Sequence, residues 1–196
     1  NDTTLKKIGR SHSVDMIYDT YNMAKRVGFD VINMDLIAGL PDETPKMFEK
    51  SLNDVIKLKP ENITVHSLCI KRAARFRHTQ NELAKSEDMN KMRSFTQKRM
   101  KEEGYIPYYM YRQKNSSGNL ENVGYAKDGT MSVYNVNIME EKQTIIACGA
   151  GASTKVVFNN DDGTTRIERV ENVKDVTTYC DRIDEMIERK KEFFGR

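Results

Sequence analysis

The sequence predicts an α/β chain: parallel βαβ units over residues 1–80, followed over 81–196 by an α+β region with a small antiparallel sheet. Three observations carry this prediction. Between Ser13 and Cys69 helical and strand-like apolar patterns alternate across short connections, as in βαβ units with a parallel sheet. In the later half, strand-like runs succeed one another around Gly- and Asn/Asp-rich turns, as in an antiparallel sheet. With 196 residues, 38% of them hydrophobic, the chain is long enough to bury a real core.

The first helix runs from Ser13 to Val27, where Val14, Ile17, Tyr18, Tyr21, Ala24 and Val27 recur at helical spacing between an N-capping Ser13 and a terminating Gly28. Val31 to Ala38 then alternates as a strand. Ile32, Met34, Leu36 and Ala38 fall on one face, while Val31, Asn33, Asp35 and Ile37 fall on the other. Gly39-Leu40-Pro41 breaks the strand, and Thr44-Pro45 opens a helix with Phe48, Leu52, Val55 and Ile56 on its apolar face. Lys59-Pro60 ends that helix before a strand from Ile63 to Cys69. A basic loop, Lys71 to His78, precedes a helix over 88–103, with Ser86 or Glu87 near its cap and Gly104 at its end. Strand-like runs follow at Tyr105 to Arg112, Val133 to Met139, Thr144 to Cys148 and Thr154 to Phe158, and the Asn160 to Gly163 turn signals a hairpin into Thr165 to Val170. Asn172 opens a long terminal helix. Two parallel units fall short of a closed barrel, which takes about 250 residues and eight repeats, so the rest of a barrel is expected before Asn1.

Composition narrows the function classes. A net charge of +3 from 32 basic and 29 acidic residues gives no bulk electrostatic case for nucleic-acid binding. No apolar run approaches the roughly 18 residues of a membrane span and no signal-peptide pattern opens the chain, so a cytoplasmic fragment of a longer protein is expected. The three cysteines, Cys69, Cys148 and Cys180, are too far apart for a CxxC-type metal motif and are expected to be buried thiols. His12, His66 and His78 lack metal-ligand spacing, and packing or capping is expected of the first two.

A strand with bulky apolar residues on one side and Asn33 and Asp35 on the other suits a barrel strand with helices outside and a ligand inside, which makes Asp35 a site candidate; a structurally paired carboxylate is the alternative. The Lys71-Arg72-Ala73-Ala74-Arg75-Phe76-Arg77-His78 loop directly follows a strand end, where barrel sites form; it is either an anion-binding loop or a solvated one. Gly149-Ala150-Gly151 is neither a dinucleotide fingerprint nor a P-loop, leaving close approach to a ligand or a tight turn.

Leu5 to Ser13, Asn33-Met34-Asp35-Leu36-Ile37-Ala38-Gly39-Leu40-Pro41 with Glu43-Thr44, Ile63 to Leu68, and the Gly149 to Ser153 run resemble successive segments of the oxygen-independent coproporphyrinogen III oxidase family, also called coproporphyrinogen dehydrogenase, of the radical S-adenosylmethionine (SAM) superfamily. Asn122 to Tyr125 and Tyr134 to Glu141 resemble its clostridial and bacillar branch. The resemblance implies the C-terminal half of a partial (β/α) barrel for residues 1–80. It also implies SAM and, in the full-length parent only, a [4Fe-4S] cluster whose CxxxCxxC ligands this sequence lacks. By motif position Arg10, Asp35, Cys69 and Lys155 would contact SAM. Lys71, Arg72, Arg75 and Arg77 would meet the propionates of coproporphyrinogen III, two of which the parent would oxidatively decarboxylate to vinyl groups on the way to heme. A heme-trafficking relative with no decarboxylase activity is the second reading. A third is an RNA-facing enzyme using the basic loop with Tyr105, Tyr108, Tyr109 and Tyr111. A half barrel would expose a sheet edge, so self-association is also expected.

Overall fold

A computed structural model of the protein describes residues 1–68, 84–111 and 121–194. These form a mixed α/β chain of two compact units, Asn1–Ser132 and Val133–Arg196. The boundary expected at residue 80 lies outside the described residues, and strands on both sides of it share one sheet.

In the first unit, α1 (Asp2–Lys7) closes at Gly9, whose φ of 72° lets the Arg10 N–H return to the Leu5 carbonyl at 2.9 Å. Ser13 caps α2 (Val14–Val27) by accepting from the Met16 N–H at 3.2 Å. Strand β1 (Asn33–Ala38), helix α3 (Pro45–Leu58) and strand β2 (Asn62–Ser67) then form one βαβ unit, with β1 and β2 parallel and Asp35 beside Thr64. Thr44 and Pro45 open α3 in their expected roles. Helix α4 (Ser86–Glu102) begins two residues before the expected start.

Two strands complete the sheet antiparallel: β3 (Ile106–Tyr111) and β4 (Asn122–Ala126), in the order β1-β2-β4-β3. One face of this sheet carries the core. Ala38, Ile63 and Tyr125 meet Phe48, Leu52 and Ile56 of α3 and Met89, Met92 and Met100 of α4, with Leu36, Val65 and Val123 packed against them. The buried positions of α3 are spaced by four, so one stripe of that helix covers the sheet.

The second unit departs from the sequence pattern. Residues 133–139 form a helix, α5 (Val133–Glu140), despite their β-branched content. Strands β5 (Ser153–Asn159) and β6 (Thr165–Glu171) form the two-stranded sheet of this unit, while residues 133–139 satisfy their backbone groups within the helix. The run Thr144 to Cys148 contributes a single bridge, Ile145 to Lys155, in place of a strand. The β5–β6 hairpin and its turn form as expected, with Asp162 accepting from the Thr164 N–H at 2.8 Å and Gly163 at a φ of 81°.

Asn172 does not start the terminal helix. It is buried, donating to the Gly149 carbonyl at 2.8 Å and accepting from Lys190 at 2.6 Å, and the helix begins instead at α6 (Val176–Asp181), capped by Asp175. A break at Arg182 separates α6 from α7 (Ile183–Phe194). Cys148 and Cys180 are exposed free thiols, contrary to the expected burial, because one opens the turn at Gly149 and the other lies on a six-residue helix with no buried residue. No helix among the described residues is long and apolar enough to cross a membrane.

Candidate functional site

Because side chains alternate along a strand, the residues between the core positions of the first sheet all face its other side. The register aligns one row across four strands: Asp35 on β1, Thr64 on β2, Gly124 on β4 and Tyr109 on β3. Gly124 is required there, since a Cβ would collide with the Tyr109 ring lying over it. The groups in and beside this row are joined by hydrogen bonds. The Asn33 amide donates to Asp35 Oδ1 at 2.6 Å, the Thr64 hydroxyl donates to Asn33 Oδ1 at 3.0 Å, and Tyr109 Oη lies 3.3 Å from Thr64 Oγ1. His66 Nε2 stands 3.6 Å from Asp35 Oδ2.

His66 above all, and after it the Asn33 amide, holds the Asp35 carboxyl below its ordinary range against the opposing effect of burial. An ionised, half-open carboxylate on the face of the sheet opposite the core can accept hydrogen bonds from hydroxyl or ammonium groups of a ligand. Asp35 is thus both structurally paired and accessible, so the two sequence readings of it are compatible.

The loop after β1 turns on Glu43. Its Oε2 accepts from the Gly39 and Leu40 N–H groups at 3.1 and 3.2 Å, and burial pushes its carboxyl up to about 7 against those two bonds. Gly39 holds a φ of 83°, and a Cβ there would collide with the Met89 sulfur, so this loop admits only glycine at its first position.

Arg10 is exposed at the end of α1, and no acidic side chain among the described residues pairs with it. A salt bridge from Lys7 to Asp42 at 2.8 Å ties the end of α1 to the loop after β1, which places the Arg10 backbone at the same end of the sheet as the C-terminus of β1. Lys155, in the second unit, is buried; its Nζ donates to the Ile138 carbonyl at 3.4 Å and lies 3.8 Å from Glu141, so it serves the C-terminal turn of α5. Cys69 and the basic residues Lys71, Arg72, Arg75 and Arg77 lie outside the described residues. The Leu68 N–H bonds the Ala38 carbonyl at 3.0 Å, beside the C-terminal ends of β1 and β2.

Sequence reasoning missed Thr64, His66, Gly124 and Glu43 as site residues and considered Tyr109 only for an RNA-facing surface. For Thr64 and His66 the signal was present, since they alternate with Ile63 and Val65 as Asp35 alternates with Leu36. Of the tyrosines considered for an RNA-facing surface, Tyr105 is buried and donates to the Pro60 carbonyl at 2.5 Å, which removes it from that role.

No family model matches the chain. It is 43% identical over 192 residues to the oxygen-independent coproporphyrinogen-III oxidase-like protein HemZ of Bacillus subtilis, covering 97% of this chain and 38% of that protein. It is 29% identical to the heme chaperone HemW of the same organism, covering 94% of this chain and 44% of that one. Among solved structures, coproporphyrinogen III oxidase (HemN) from Escherichia coli, a radical SAM enzyme, shares the fold with a TM-score of 0.64 at 19% identity, over 94% of this chain and 41% of that one. The chain thus spans about two fifths of the length of these relatives.

Proposed function

We propose, since this chain belongs to the oxygen-independent coproporphyrinogen III oxidase family of the radical SAM enzymes, that it supplies the later strands of a partial (β/α) barrel and part of a SAM-binding surface within it. The two-sidedness of β1 and β2 carries the reading: helices α3 and α4 cover one face, while Asp35, Thr64 and His66 line the other. In a barrel the covered face is the outside and the open one the ligand-bearing interior.

The residues present suit SAM. Asp35 offers acceptor oxygens to hydroxyl or ammonium groups, and Arg10 carries a fork of donors fitted to a carboxylate and unpaired among the described residues. An iron-sulfur cluster finds no comparable fit: among the described residues no group of three His, Cys, Asp or Glu side chains could hold a metal. Its ligands are assigned to the remainder of a longer parent, and no step is derived through it. When bound, SAM and the cluster together supply the one-electron chemistry. The chain's own residues would orient the ligand, with Asp35 holding one end and Arg10 the other, on a sheet kept rigid by the core behind it. Lys71, Arg72, Arg75 and Arg77, which follow β2 in the sequence, are proposed to bind the propionates of a tetrapyrrole such as coproporphyrinogen III, in the cytoplasm.

The test is equilibrium binding of S-adenosylhomocysteine to the 196-residue chain, alongside anaerobic turnover of coproporphyrinogen III by the full-length parent. Asp35→Ala and Arg10→Ala are each expected to weaken the probe by about ten- to a hundredfold, the worth of a charge-assisted hydrogen bond. Unchanged affinity in both would refute the SAM reading. The similarity to a heme chaperone over 94% of the chain favours a second reading, heme trafficking without decarboxylation. Tetrapyrrole binding with no vinyl product would select it.

A further inference from the structure

We propose that Tyr109, Thr64 and Asn33 form a one-way hydrogen-bond chain that positions Asp35 for ligand donors, with Tyr109 as a remote positioning residue on the far edge strand. This rests on the reading of Asp35 as a ligand contact and extends it across the sheet.

The direction of the chain follows from counting protons. Asp35 is held ionised and can only accept, so the Asn33 group 2.6 Å from it must be the amide nitrogen; the flipped amide would set two oxygens against each other at that distance. Asn33 Oδ1 is thereby turned to Thr64, whose single hydroxyl proton goes to it at 3.0 Å. Thr64 Oγ1 then has only lone pairs left, and Tyr109, 3.3 Å away, must be the donor to it. Every proton in the chain points toward Asp35. Aligned bonds of this kind polarise one another, and each fixes the orientation of the next group.

The chain crosses from β3 to β1 past β4, and it can do so only because β4 presents Gly124, which has no side chain, beneath the Tyr109 ring. Thr64 is buried at the centre. At the ligand end, Asp35 Oδ1 keeps free acceptor capacity beyond its bond to Asn33, and Oδ2 faces its ion-pair partner His66 Nε2 at 3.6 Å. The chain thus leaves lone pairs on Oδ1 for a ligand donor.

The experiment is a carbon-13 NMR titration of the Asp35 carboxyl in the 196-residue chain, with calorimetric binding of S-adenosylhomocysteine, for Tyr109→Phe, Thr64→Val, Thr64→Ser, the Tyr109→Phe/Thr64→Val double variant and Asp35→Asn. Tyr109→Phe and Thr64→Val are expected to move the Asp35 titration upward and to weaken the probe by about three- to tenfold, the worth of one neutral hydrogen bond. The double variant should lose no more than Thr64→Val alone, because both cut one chain. Thr64→Ser keeps the hydroxyl and should match the unaltered protein in both readouts, which a merely structural role for Thr64 would not require. A folded Thr64→Val in which Asp35 titrates as before overturns the proposal. If that variant does not fold, Tyr109→Phe, which removes one atom from a half-buried ring, decides in the same way. A titration that moves as expected while Asp35→Asn binds the probe normally upholds the chain and overturns the ligand reading beneath it.

Discussion

Replacing Glu43 by glutamine tests whether burial or hydrogen bonding governs the loop after β1. The side chain accepts from two backbone N–H groups, which favours its ionised form, yet burial prevails and pushes its carboxyl from 4.5 to about 7. A folded-state pKa above the unfolded one means that stability is complete below about 4.5, declines as pH rises toward 7, and stays at its lowest beyond. A displacement of that size has a ceiling of about 3 kcal/mol, and the partial exposure of Glu43 lowers the expectation to about 1–2 kcal/mol. The amide introduced by Glu43→Gln would keep an oxygen for the Gly39 and Leu40 N–H groups and would have no charge to bury, so the variant should gain about 1–2 kcal/mol on the unaltered protein between pH 5 and pH 8. Urea unfolding followed by far-ultraviolet circular dichroism suits a chain with no tryptophan. The difference between the two proteins must be taken at each pH, because Asp35 and Asp54 sit below their ordinary range and contribute the opposite slope, losing stability as pH falls. A difference that stays constant with pH would refute the reasoning. One of opposite sign would show that the two backbone donors hold Glu43 ionised.

Two further expectations concern the two units separately. Leu52→Ala empties a fully buried position between Phe48 and Ile56 on α3 and should cost about 2–5 kcal/mol in urea unfolding; a loss under about 1 kcal/mol would mean that the α3 stripe is not packed on the sheet as described. Lys155→Met keeps the aliphatic stem and removes the ammonium. Glu141 is half exposed and retains Arg169 at 3.4 Å, so no buried charge is stranded and the change in stability should stay within about 1.5 kcal/mol, with S-adenosylhomocysteine affinity unaltered. Lost probe affinity in a variant of normal stability would return Lys155 to the ligand.

The βαβ unit was legible because its signals are local and agree with one another. Ser13, Thr44-Pro45 and Gly28 mark helix ends through bonds made within a few residues, and the two-residue alternation of β1 shows which side is covered. The second unit was legible in its β5–β6 hairpin, whose turn is local, and not in the rest, where the outcome depends on partners distant in sequence. Val133 to Met139 has the composition of a strand and forms a helix, whose backbone bonds close within the segment. Asn172 resembles a helix cap, but its side chain is drawn to Gly149 and Lys190, 23 residues before it and 18 after it. Strand β4 escaped notice because its central glycine lowers strand propensity, and the reason for that glycine, the Tyr109 ring, lies on another strand.

The same division runs through the site. Asp35 could be picked out alone, since a carboxylate on the apolar rhythm of a strand is conspicuous within the strand's own short window. The groups that orient it could not, because Thr64 and Tyr109 reach it through pairings separated by 31 and 45 residues. A threonine in a strand is ordinary until the register sets its hydroxyl between an amide oxygen and a phenol. Substitutions at Thr64 and Tyr109 would therefore read as harmless in the sequence, while the hydrogen-bond geometry assigns their effect to Asp35.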